Sequence, residues 1–146
     1  MHGNEPQRFS AATELRLKEA KALLAAGFPE GAYYLAGYAV ECALKACIAR
    51  KTQEFDFPEK RRVNDSHTHD LGKLLVLAGL SEDLRLEFAA KPDMEMFWGI
   101  VRDWSEESRY EMIQGSDEER FLFASQMIHA IECQYGGIMQ WIKQRW

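Results

Sequence analysis

The chain has 146 residues, 47% of them hydrophobic, with 18 Lys plus Arg against 23 Asp plus Glu, which is enough to bury a core without disulfides or a structural metal. Collagen-like, disordered and disulfide-framework classes are excluded. A formal net charge of −5 argues against a general polyanion binder, because nonspecific nucleic-acid affinity comes from phosphate neutralisation by Lys and Arg.

The first ten residues are polar, and no stretch reaches the uncharged length of about 18 residues that a membrane helix needs, so a cytoplasmic chain with no membrane partner is expected. Cys42, Cys47 and Cys133 form neither C-x-x-C nor paired zinc knuckles and read as small core residues in a reducing compartment.

Alternating strand patterns are nearly absent and 3.6-residue periodicity recurs throughout. Ser10 is read as the N-cap of a first helix through Leu15, Leu17, Leu23 and Leu24 that stops at Gly27. Pro29 opens a second helix, about Glu30 to Lys51, because proline in a first turn forfeits no helical hydrogen bond. Ala32, Ala36, Ala39, Ala43 and Ala46 form a stripe that permits close backbone approach, which marks a central helix. Its polar sector carries Tyr34, Tyr38 and the i,i+4 pair Glu41 and Lys45, either a solvated ion pair or part of a site.

The segment of about 52–69, with Pro58 and the cluster Lys60, Arg61 and Arg62, has no apolar period and is expected to be a charged loop. A short helix with Leu71, Leu74 and Leu75 follows, then one capped by Ser81 and closed by Pro92. A further helix from about Met94 buries Phe97, Ile100, Val101 and Trp104, and Ser105 to Ser108 interrupts the pattern before Arg109 and Tyr110. Ser116 and Glu119 form a capping box. The row Phe121, Ala124, Ile128, Ile131, Tyr135, Ile138 and Ile142 then predicts a long core helix, with a bend, an early end or a close crossing at Gly136-Gly137. Trp141 and Trp146 fall off this row and are expected at a subunit contact.

Gly-rich phosphate loops, H-E-x-x-H and G-x-S-x-G are all missing, so the common motif-driven enzymes gain no support. His67, His69 and Asp70 suggest a metal only weakly, because two His one residue apart on a loop lack a third ligand at a defined spacing, and Asp70 is better read as a helix cap. No cofactor is implied. Arg62 and His67 fit R-x4-H, in which an Arg neutralises a phosphate beside a proton-moving His, but they lie on an irregular charged segment.

The order and spacing of several pieces resemble the HEPN family, small helical bundles found beside minimal nucleotidyltransferases. These are Ala22-x-x-Leu-Leu-x-x-Gly-Phe, Gly31-Ala-Tyr-Tyr-Leu-Ala-Gly-Tyr-Ala-Val-Glu41-x-x-Leu44-Lys45-Ala46, His69-Asp70-Leu71-x-x-Leu74 and Ser108-Arg109-Tyr110. The resemblance implies an all-α, up-and-down bundle of four or five helices, one domain over 1–146, that forms a homodimer. Ribonuclease members carry R-x4-6-H near the start of the last long helix, paired across the dimer. Arg109 is nearest to the place of that Arg, yet residues 110–116 hold no His.

The expected function is therefore a noncatalytic nucleotide- or RNA-binding module, the partner of a minimal nucleotidyltransferase in a toxin and antitoxin pair. The alternatives are a metal-independent endoribonuclease using Arg109 or Arg62 with His67, and a structural dimerisation adaptor. The expected ligand site joins Glu41, Lys45, His69, Arg109 and Tyr110, with donors for phosphate and aromatic faces for a base.

Overall fold

The computed structural model describes residues 5–54 and 67–146, and these are helical, without a strand. Seven helices are seen in them: α1 (Glu5–Ala25), α2 (Pro29–Glu54), α3 (Leu71–Leu77), α4 (Ser81–Ala90), α5 (Pro92–Arg102), α6 (Asp117–Ile131) and α7 (Ile138–Lys143). A 3-10 turn, Glu106–Tyr110, lies between α5 and α6. The all-α bundle expected from the sequence is thus the observed architecture. Most of the expected charged loop, including Arg62, lies outside the described residues.

The link between α1 and α2 follows from two residues. Gly27 has φ +91°, its N–H donates to the Leu24 carbonyl at 3.1 Å, and the Phe28 N–H reaches back to the Leu23 carbonyl at 2.9 Å. This Schellman motif satisfies the last carbonyls of α1, and Pro29 then starts α2 at once. Ser10 is not a cap, because α1 includes Glu5, a favourable first-turn acid, and Pro6, which loses no helical bond so early. The Ser10 hydroxyl instead donates to the Pro6 carbonyl at 2.8 Å within the helix.

Helix α2 is the axis of the bundle. Ala32, Ala36, Ala39 and Ala43 are fully buried, and their small side chains let α1 and α6 approach the backbone closely. One apolar core runs from Leu17 and Ala20 of α1 through Leu44 of α2 and Leu71 and Leu74 of α3 to Met127 of α6.

The shorter helices are set by caps and glycines. The Asp70 carboxylate accepts the Lys73 N–H at 3.0 Å and caps α3, as expected. Ser81 is the first residue of α4 and not its cap. A second Schellman motif ends α3 at Gly79, φ +73°, with the Leu80 N–H on the Leu75 carbonyl at 3.1 Å, so buried Leu80 must occupy the cap position. Pro92 closes off α4 by opening α5.

Ser116 and Glu119 do form a reciprocal capping box at the start of α6. The helix stops at Ile131, and Gly136, φ +111°, turns the chain into α7. A Cβ on Gly137 would stand 2.4 Å from the Ile131 carbonyl oxygen, so the glycine pair makes both an early end and a close crossing.

The core row of α6 differs from the expected one. Ala124, Met127, Ala130 and Ile131 are buried, whereas Phe121 is 43% and Tyr135 85% exposed and Ile128 is only partly covered. Trp141 is buried and so is not left over for a subunit contact, whereas Trp146 stays half-buried and donates from its indole nitrogen to the Ala43 carbonyl at 3.2 Å. Among the described residues, no helix is long and apolar enough to cross a membrane.

Candidate functional site

Midway along α2, the Glu41 carboxylate is 2% exposed, a position a charged group tolerates only when it is paired. Its Oε2 accepts from Lys45 Nζ at 3.1 Å, one helical turn later, and its Oε1 lies 2.9 Å from His69 Nδ1. The Lys45 side chain is itself largely covered, so this pair is not the solvated surface bridge that i,i+4 spacing allows.

His69 is delivered by the start of α3. Thr68 Oγ1 accepts the Asp70 N–H at 3.2 Å, and the Asp70 cap fixes the turn that aims the imidazole at α2. The opposite ring nitrogen, Nε2, lies 3.2 Å from Oε2 of Glu106, the first residue of the 3-10 turn. Ser105 Oγ holds that turn by accepting the Glu107 N–H at 3.2 Å. Glu106 thus extends the site, and sequence reasoning missed it. Its position depends on a short turn without apolar periodicity, and the only local signal is the preceding Ser105 cap.

The same turn presents Arg109. Its guanidinium carbon lies 5.6 Å from the Tyr34 ring centre and 5.2 Å from that of Tyr110, within cation–π range of both. Tyr34 continues the aromatic surface toward Trp104 and Tyr38, at centroid distances of 6.0 and 6.1 Å. Burial is the main cause that pushes the Tyr34 hydroxyl above its ordinary pKa; Arg109 opposes it, while Glu106 and Glu41 add to it. Tyr34 therefore stands in the field of both the carboxylate cluster and Arg109. Tyr38 is raised as well, first by burial and then by Cys42 and Glu41.

Of the expected site residues, Glu41, Lys45 and His69 are in direct contact, and Arg109 and Tyr110 come from the turn that carries Glu106. His67 is exposed, and Arg62 lies outside the described residues. Among the described residues, no group of three or more His, Cys, Asp or Glu side chains is placed to hold a metal ion.

Chemically, the arrangement separates two tasks. Both nitrogens of His69 face carboxylates, so a bound hydroxyl would have to displace Glu41 or Glu106 to reach the ring. Arg109 is exposed, forms no ion pair among the described residues and lies over two tyrosine rings, which leaves N–H donors for an anion. Tyr110, 81% exposed, offers a free ring for stacking.

Comparison with known proteins agrees with this picture at the level of the domain. The family model for the HEPN domain matches residues 11–133. No curated protein and no solved structure gives a match. The match begins within α1, includes Glu41, Lys45, His69 and Arg109, and ends just past α6, so the chain belongs to the HEPN domain family.

Proposed function

We propose that this chain is a noncatalytic nucleotide- or RNA-binding HEPN module, acting as a homodimer and as the partner of a minimal nucleotidyltransferase in a toxin and antitoxin pair. Family membership ties it to nucleotide- or RNA-related function. The observation that carries the finer reading is Arg109, unpaired among the described residues and laid across Tyr34 and Tyr110, beside a histidine whose two nitrogens are already engaged. A phosphate would take the guanidinium edge and a base the exposed Tyr110 ring. The Glu41–Lys45–His69 cluster would hold the 3-10 turn against α2 through Glu106. Exposed Phe121 and Leu122 on α6 and Met96 on α5 favour a second copy as the cover of that surface.

The test is titration of the protein with ATP and with a short single-stranded RNA, alongside an RNA-cleavage assay in chelator. Binding without turnover is expected, and Arg109→Ala should weaken it by about 1 to 3 kcal/mol with the melting temperature retained. Cleavage in chelator that requires His67 would replace this proposal with the endoribonuclease. Light scattering that gives a strict monomer over a wide concentration range would remove the homodimer.

A further inference from the structure

Beside Ser105, Ser108 and Glu111 lies a cavity of about 350 Å³, at the small end of ligand-sized pockets. Its floor is aromatic. Tyr33 of α2 and Phe123 of α6 pack with ring centres 4.9 Å apart, and Ile113 adds apolar surface. Its walls carry Glu30, Asp103 and Glu111. Glu30 is engaged by Arg120, whose Nε donates at 3.1 Å and whose terminal nitrogen adds a second bond, but Asp103 and Glu111 form no ion pair among the described residues.

We propose that this cavity binds an organic cation, a guanidinium or primary ammonium group carried on a slim apolar stem. Two unpartnered hydroxyls in the lining point to a ligand beyond the carboxylates alone. Tyr33 is only 8% exposed, lines the cavity, and its hydroxyl has no hydrogen-bond partner among the described residues. The Ser108 hydroxyl oxygen, also in the lining, is buried without a partner. Burial first, and then Asp103 and Glu111, raise the Tyr33 pKa, so the phenol stays protonated at neutral pH and its oxygen can accept from an N–H group.

The lining selects among ligand classes by charge and shape. Unpaired carboxylates repel phosphate, which separates this cavity from the Arg109 face. A bare metal ion is disfavoured because the carboxylates here do not converge as a ligand set. A flat or tetrahedral nitrogen cation fits, since aromatic faces attract it and the apolar floor takes the stem.

Isothermal titration of the whole chain with agmatine tests this, together with the peptide acetyl-Gly-Arg-Gly-amide and the neutral isostere butylurea. Saturable binding of agmatine or of the peptide is expected, and butylurea should not bind. Tighter agmatine binding identifies a free small cation as the source, and equal or tighter peptide binding identifies an arginine side chain of a protein. Asp103→Asn combined with Glu111→Gln changes two exposed side chains and should weaken binding by about tenfold or more, the scale of a lost charge-assisted contact. Arg109→Ala should leave it unchanged. The proposal is overturned if neither cation binds at millimolar concentration, if butylurea binds equally, or if the double variant, with its melting temperature intact, binds like the wild type.

Discussion

The indole of Trp104 lies directly against the backbone of α2 at Gly37, where a Cβ would come within 2.2 Å of Trp104 Cδ1. Neither partner can yield easily, since Trp104 is buried and also neighbours Tyr34. Gly37→Ala gains helix propensity of about 1 kcal/mol but overpacks the contact, with a net loss of about 1 to 2 kcal/mol expected. Chemical denaturation measures that loss. Because the displaced indole would disturb Tyr34, ligand binding at Arg109 should weaken in the same variant.

The Glu41–Lys45–His69 cluster makes a second prediction. Lys45→Met leaves the buried Glu41 carboxylate facing His69 alone, and should cost about 2 to 4 kcal/mol. Glu41→Gln added to Lys45→Met removes the stranded charge and should recover much of that loss, which a double-mutant cycle by urea unfolding reads directly. Additive losses in that cycle would show that the two side chains do not form a coupled pair.

Thiol chemistry should be confined to one residue. Burial pushes Cys42 and Cys47 up to about 11, so at pH 8 almost none of either is thiolate, whereas Cys133 is partly exposed. Native protein treated with iodoacetamide should therefore carry a single label, on Cys133, by peptide mass spectrometry. Labelling of all three within the same period would mean that the α2 interface opens.

The corrected register of α6 separates two residues that the periodic row cannot. Met127→Ala removes a fully buried side chain and should cost about 2 to 5 kcal/mol. Tyr135→Ala touches an 85% exposed ring and should change stability by less than about 0.5 kcal/mol. Thermal melts of the two variants compare them.

The sequence shows α2 most clearly, because its alanines repeat at helical spacing and every one of them is buried. Gly27, Pro29, Asp70 and the Ser116–Glu119 box were legible for local reasons, as each satisfies a helix end by its own chemistry. The face of α6 was not. Phe121 and Ile128 outrank Ala124 and Ala130 in hydrophobicity, but the face docked on the core is Ala124, Met127, Ala130 and Ile131, which leaves Phe121 and Ile128 at its flank. Phe123 shows the result, stacking on Tyr33 at the edge. The burial of Trp141 was not legible because the turn at Gly136 and Gly137, which folds α7 back toward α2, is a tertiary event. Likewise, Glu41 and Lys45 declare each other by spacing, whereas Glu106 joins them only through the docking of a short turn.

The tight Gly27–Pro29 link also bears on how the chain folds. It joins α1 and α2, the most extensive helix pair of the bundle, across a connection so short that closing it costs little chain entropy. Contacts between neighbours in sequence form ahead of distant ones, so this hairpin is the natural nucleus, and α6 and α7 condense later onto its exposed alanine face. The helix that carries Glu41 would then be in place before the segments bearing His69, Glu106 and Arg109 arrive, which makes the candidate site one of the last features to be completed.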